Sequence, residues 1–279
     1  MESKERGGTW YNSKMIIGFI LLGMLLLIAI FSATISPNNP LAEHIEIKYA
    51  PPSSEYWFGT DHLGRCIASR IFWGARTSLM YGGAILGSIL LISLVLGLFS
   101  GYFGGWLDTV IMRMTDIAIS LPTPVIALAI AGALGPSGKN LIIAMILTSW
   151  GDFTKLIRGM VLEMKEKDFI LSAQVSGFSH IKTMRTHILR NIFPPIIGLA
   201  TIEMGKIILT IAGFSFIGLG AQPPTPEWGV MISDARNLIQ VQPQLMLYPG
   251  LAVIFTVVAF NILGEGLQQA LGKGKVIRG

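Results

Sequence analysis

The feature that most constrains this chain is a series of uncharged apolar runs, each near the roughly 20 residues that a helix needs to cross a hydrocarbon core about 30 Å thick. Six can be marked: Met15 to Ile35, Thr77 to Phe99, Ile117 to Leu134, Leu141 to Ile157, Ile192 to Leu219 and Leu247 to Leu263. Pro122 and Pro124 near the start of the third predict a kink there. The first run exceeds the 7–15 apolar residues or so of a secretory leader, so it reads as a span. Composition agrees. Of the 279 residues 52% are hydrophobic and 13% charged, against about 25% charged in an ordinary soluble domain. The expectation is an all-α polytopic membrane protein with six transmembrane helices.

Charge distribution sets the expected orientation. With the amino terminus in the cytoplasm, the inside segments collect Lys4, Arg6, Lys14, Arg113, the basic residues from Lys155 to Arg190, and Lys273, Lys275 and Arg278. The outside segments hold Lys48, Arg65, Arg70, Arg76, Lys139 and Arg236. The positive-inside bias therefore places both termini in the cytoplasm. The expected division is a cytoplasmic 1–14, a first span 15–35, an extracytoplasmic loop 36–76, a five-helix core 77–270 and a cytoplasmic tail 271–279. No solenoid-period repeat is visible, so this is one membrane domain. The single cysteine, Cys66, excludes internal disulfides and any thiolate-caged metal. A net charge of +5 is too mild to suggest nucleic acid as a partner.

The most polar stretch, 159–191, joins the fourth and fifth runs. Met160 to Ser176 reads as helix, and Phe178, Ile181, Met184 and Ile188 recur at helical spacing after the central Gly177. That pattern predicts two short helices at a glycine corner, the second lying at the membrane interface. A solvated basic loop that merely obeys the charge rule accounts for the spacing equally well.

Motifs decide between them. Asp168-Phe-Ile-Leu-Ser-Ala-Gln-Val-Ser-Gly-Phe-Ser-His-Ile, followed by His187-Ile-Leu-Arg-Asn, resembles the coupling loop of ABC importer permeases, where a Glu-Ala-Ala triplet precedes a glycine. Phe58-Gly-Thr-Asp-His-Leu-Gly-Arg, Gly74-Ala-Arg-Thr-Ser-Leu, Gly101-Tyr-Phe-Gly-Gly-Trp-Leu-Asp, Phe214-Ser-Phe-Ile-Gly-Leu-Gly and Pro224-Thr-Pro-Glu-Trp-Gly are similar to the dipeptide, oligopeptide and nickel permeases. Within that family Glu227 to Arg236 and Gln242 to Ala252 look most like the nickel-import members. So does the triplet Leu171, Ser172, Ala173, which departs from Glu-Ala-Ala as theirs does.

The resemblance implies the type I ABC importer permease fold with a cytoplasmic coupling helix, in a prokaryotic plasma (inner) membrane. It implies a second homologous permease, two cytoplasmic ATPases that bind ATP and Mg, and an extracytoplasmic substrate-binding protein. It also implies that Leu171, Ser172, Ala173 and Gly177 dock on an ATPase. The chain itself has no Gly-x-x-x-x-Gly-Lys-Ser/Thr phosphate loop, so the subunit is expected to be non-catalytic, with no cofactor of its own.

Charges inside apolar runs cost at least about 2.5 kcal/mol unpaired. Glu203 and Lys206, three apart, are expected to neutralise each other. The family also implies that the fifth span lines the pore, which makes both residues pore-lining candidates. Asp152 and Lys155 mark a membrane boundary. His44, His62, His180, His187 and Cys66 do not converge in sequence, so no metal site is expected and a metal cargo would pass as a chelate. Trp228, after Pro223, Pro224 and Pro226, reads as a headgroup anchor, and Asp234 as solvated. A secondary transporter would show inverted repeats, and a membrane enzyme clustered His or carboxylates; neither is visible.

Overall fold

Nine principal helices carry the fold in a computed structural model that describes the backbone of residues 7–276 and the side chains of 13–270 except that of residue 174. Of the predicted inside charges, Lys4, Arg6 and Arg278 lie outside the described backbone, and Lys273 and Lys275 outside the described side chains. The helices are α1 (Gly7–Ile30), α2 (Ile67–Phe103), α3 (Gly105–Ile119), α4 (Thr123–Leu134), α5 (Gly138–Lys165), α6 (Asp168–Val175), α7 (His180–Phe216), α8 (Trp228–Ala235) and α9 (Gln244–Val276). Among the described residues the only β pairing is an isolated bridge between Thr60 and Cys66.

The helices meet where the sequence supplies small side chains, as expected where lipid removes the hydrophobic drive for association. α2 lies along α5. A Cβ on Gly97 would sit 2.8 Å from the Ile157 Cβ and 3.0 Å from the Thr154 carbonyl oxygen, and one on Gly101 would sit 2.8 Å from Val161. α1 crosses α9 in the same manner: a Cβ on Gly18 would fall 2.6 Å from the Leu263 Cα, and Lys14 and Glu265 close that contact with a 2.8 Å ion pair. Because Gly97 faces backbone as well as a branched side chain, Gly97→Leu is expected to force α2 off α5. The expected cost is about 1–3 kcal/mol, typical of overpacking, seen as a lower unfolding temperature in detergent. An unchanged temperature would mean that the α2–α5 contact is soft.

The predicted kink is a full break. α3 and α4 diverge by 78° across Ser120 to Pro122. Pro122 takes the N-cap position of α4, Pro124 its first turn, and the residue before a proline is driven from the helical region. α3 is stitched to α5 by the Arg158 guanidinium, which donates from Nε and Nη2 to the two Asp108 carboxylate oxygens at 2.6 Å each, and by Lys155 to Asp116 at 2.7 Å. The sequence reading paired Lys155 with Asp152 as boundary markers. The structure pairs it with Asp116 and leaves Asp152 exposed.

Length and apolarity alone mark four helices able to cross a membrane, α1, α2, α7 and α9, and five if the bent α3–α4 pair is one span. Six were expected. α5 has 28 residues, about 42 Å at 1.5 Å per residue, yet its polar content keeps it outside that group. Helix ends and the ends of the apolar runs differ: the helix that holds the second run begins at Ile67, ahead of Thr77, and α7 ends at Phe216, ahead of Leu219 and the prolines. α7 contains Pro194 and Pro195, and carries a widened π turn over Met184–Leu189.

Candidate functional site: the elbow at α6 and the opposite cap

α5 stops at Lys165, and a short break at Glu166 and Lys167 sends the chain into α6, whose first turn carries Asp168 against the exposed helix N–H groups. The long helix expected over Met160 to Ser176 is thus two helices. At the far end of α6, Gly177 takes φ +80°, as a glycine corner requires, and the Phe178 N–H reaches back to the Ala173 carbonyl at 3.1 Å. That six-to-one closure around a left-handed glycine fixes the exit direction of the chain. Space is not the reason for glycine here, since nothing lies within 4 Å of a Cβ at this position. Ser179 then caps α7, its Oγ accepting from the Lys182 N–H. The segment predicted as a separate interfacial helix is the first turns of α7 itself, with Met184 and Ile188 buried.

α6 is amphipathic over its eight residues. Ile170 and Ala173, three apart, are buried, and Ile170 joins a core of Tyr102, Ile157, Val161, Met184, Ile188, Ile192 and Ile196. Asp168, Leu171, Ser172 and Val175, spaced i, i+3, i+4, i+7, are exposed, Val175 at 90%. The expected docking set is therefore divided. Leu171, Ser172 and Gly177 lie on the outside, whereas Ala173, at 7% exposure, belongs to the inner face and anchors the helix. Val175 was missed, although its place four residues after Leu171 was a readable signal.

Glu203 and Lys206 meet on α7 at 2.9 Å, the pairing expected from their spacing, with the Lys206 side chain 68% exposed in the single chain. Of the histidines, His180 accepts or donates at 2.9 Å with the Tyr102 hydroxyl, and His187 packs against Phe169 and Phe178. His62 and Cys66 do not share a helical face. They lie in a turn, with Cys66 buried at the N-cap of α2. Among the described residues no three His, Cys, Asp or Glu side chains gather in a metal-holding group.

The end of the molecule opposite the elbow is closed by a buried polar cluster that sequence spacing did not reveal. Arg65 donates from Nε to Asp61 at 2.7 Å and lies 3.5 Å from Asp234, which was expected to be solvated. Arg70 lies 3.7 Å from the same Asp61 oxygen and donates to the carbonyls of Pro40 and Pro224. Both arginines are 1% exposed. Glu227 caps α8 by accepting from the Gly229 and Val230 N–H groups, and also accepts from the Ser78 hydroxyl of α2. Burial pushes its carboxyl above the ordinary carboxylate range, against these hydrogen bonds, which hold it down. Trp228, read as a membrane anchor, is fully buried and donates to the Ile71 carbonyl at 3.1 Å. Beside this cap a cavity of about 770 Å³ is lined by Asn38, Pro40, Trp73, Thr77, Pro224 and Pro226 among others.

Residues 93–276, which hold the elbow, the α7 ion pair and α8, match the family described as "Binding-protein-dependent transport system inner membrane component". The chain is 40% identical over 260 residues to a dipeptide transport system permease protein of Alkalihalophilus pseudofirmus, covering 93% of this chain and 86% of that one. It is 37% identical over 255 residues to a nickel transport system permease protein of Escherichia coli K12, covering 91% and 92%. With a glutathione transport system permease protein of Pectobacterium atrosepticum it shares 40% over 222 residues, 79% and 73% of the two chains. These matches make the chain a member of the ABC importer permeases of the dipeptide, oligopeptide and nickel family, a membrane-embedded, non-catalytic transport subunit.

Proposed function

We propose that this permease forms half of the pore of an importer whose cargo is nickel or a related transition metal carried as a chelate, with α6 as the helix through which cytoplasmic ATPases drive it. The single observation that supports the mechanism is the exposed Leu171, Ser172 and Val175 face of α6, held at a fixed angle by Gly177 and rooted by Ile170 and Ala173. A helix presented in this manner is a lever: a partner that grips its outer face moves the packed ends of α5 and α7 as bodies. ATP and Mg are bound by those ATPases, a second homologous permease completes the pore, and an extracytoplasmic binding protein lands at the α8 end. In this reading both termini and α6 are cytoplasmic, α5 is the sixth crossing, and the segments divide near 1–14, 15–35, 36–76, 77–270 and 271–279. The Glu203 and Lys206 pair faces the pore.

Chelated nickel is supported by the Leu171-Ser172-Ala173 departure and by the 37% identity to the nickel permease. A second reading, a dipeptide cargo, is supported by the 40% identity to the dipeptide permease. Uptake of labelled nickel against labelled dialanine, in cells with and without this gene, separates them. A photocrosslinker at Ser172 is expected to capture an ATPase subunit in native membranes; repeated failure to do so would remove the lever reading.

A further inference from the structure

The elbow is tied to more than the helix it leads into. Tyr102 stands at the C-terminal end of α2, 4% exposed, in the same apolar core as Ile170 of α6. Its hydroxyl meets the His180 Nδ1 at 2.9 Å, at the first residue of α7. Its carbonyl accepts from the Lys165 ammonium at 2.7 Å, at the last residue of α5. The same ammonium lies 5.8 Å from the Tyr102 ring, and Phe103 packs edge-on to both Tyr102 and His180. One residue thus joins the ends of three long helices in the same core as Ile170 of α6. α2 also packs along α5, but its polar tie to the start of α7 is the Tyr102 hydroxyl.

We propose that Tyr102 is a positioning residue for coupling, transmitting displacement of the elbow into α2 through its hydroxyl bond to His180. The proposal rests on α6 being the ATPase-gripped helix. Tyr102→Phe keeps the ring, the apolar packing and the Lys165 bond to the backbone carbonyl, and removes only the hydroxyl. In the complete complex reconstituted in vesicles, supplied with its binding protein and with labelled nickel and labelled dialanine together, this variant is expected to assemble and to hydrolyse ATP at the basal rate. The label imported per ATP hydrolysed is expected to fall about five-fold, the weight of one hydrogen bond of about 1 kcal/mol lost from the coupled motion.

His180→Ala is expected to fall equally, the double variant no further than either single one, and His180→Gln, whose amide can still meet the hydroxyl, to recover part of the ratio. A purely structural role would lower complex yield or unfolding temperature and leave the ratio alone. An unchanged ratio in Tyr102→Phe, or independent losses that add in the double variant, overturns the proposal. The Ser172 crosslink made in the Tyr102→Phe background keeps the two readings apart. Capture of an ATPase with an unchanged ratio sinks only the role of Tyr102, whereas no capture sinks the elbow itself.

Discussion

Gly177→Val is expected to abolish most cargo uptake, by about tenfold or more, while leaving the permease inserted and assembled. The backbone at φ +80° costs an L-residue about 1–2 kcal/mol, and more when the side chain is branched at Cβ. The corner relaxes by giving up the Phe178 to Ala173 closure, and α6 then leaves the angle at which Leu171 and Val175 present themselves. Since the position is open, with no atom within 4 Å of a Cβ, no core is disturbed and insertion is spared. Gly177→Asn, a residue that tolerates the left-handed region, is expected to retain most uptake, and Gly177→Ala to fall between. Uptake at the unsubstituted level in Gly177→Val, measured beside the amount of subunit in the membrane, would falsify the claim that the corner sets the geometry of coupling.

Asp61→Ala is expected to be the most destabilising single change in the α8 cap. Asp61 is the carboxylate shared by Arg65 at 2.7 Å and Arg70 at 3.7 Å; without it the two arginines, each 1% exposed, keep Asp234 at 3.5 Å from Arg65 and the Pro40 and Pro224 carbonyls at Arg70, but no carboxylate in direct contact with both. Removing one partner from a buried ion pair costs about 3–5 kcal/mol, because the remaining charge stays desolvated. The expected observation is a lower unfolding temperature in detergent and less protein in the membrane. Asp61→Ala with Arg65→Met is expected to regain part of the loss, since an apolar side chain of similar length leaves only Arg70 unpaired. Equal stability of Asp61→Ala and the unsubstituted protein would show that water reaches this cluster. Arg70 also holds the carbonyls of Pro40 and Pro224, so the same change is expected to loosen the lining of the 770 Å³ cavity.

Local chemistry made much of the elbow legible. Gly177 announced a positive-φ corner, and the spacing of Glu203 and Lys206 announced a pair three residues apart on one helix; both are local, and both are found. The two sides of α6 were not separable by the same means. Leu171, Ser172 and Ala173 are consecutive, and which of them turns inward depends on where Tyr102, Ile157 and Met184 stand, residues distant in the chain or beyond the corner. Trp228 failed for a related reason: a tryptophan beside prolines has the composition of a headgroup anchor, and only the presence of α2, whose Ile71 carbonyl takes its N–H, makes it core.

By itself the sequence determined that the chain is a bundle of apolar helices with one polar, glycine-cornered interruption, because helix length, apolar runs and backbone conformation are decided within a few turns. It also carried the motifs by which the family is recognised. The tertiary structure alone decided that Asp61, Arg65, Arg70 and Asp234 form one buried cluster, that Lys155 pairs with Asp116 rather than Asp152, and that Tyr102 joins α2, α5 and α7. The physical reason is the same for the cluster and for Tyr102: a charge or hydroxyl excluded from water takes whatever partner packing brings near, and the partner's place in the chain has no bearing on that. The Lys155 and Asp116 side chains are about half exposed, and their pairing follows from α3 lying beside α5.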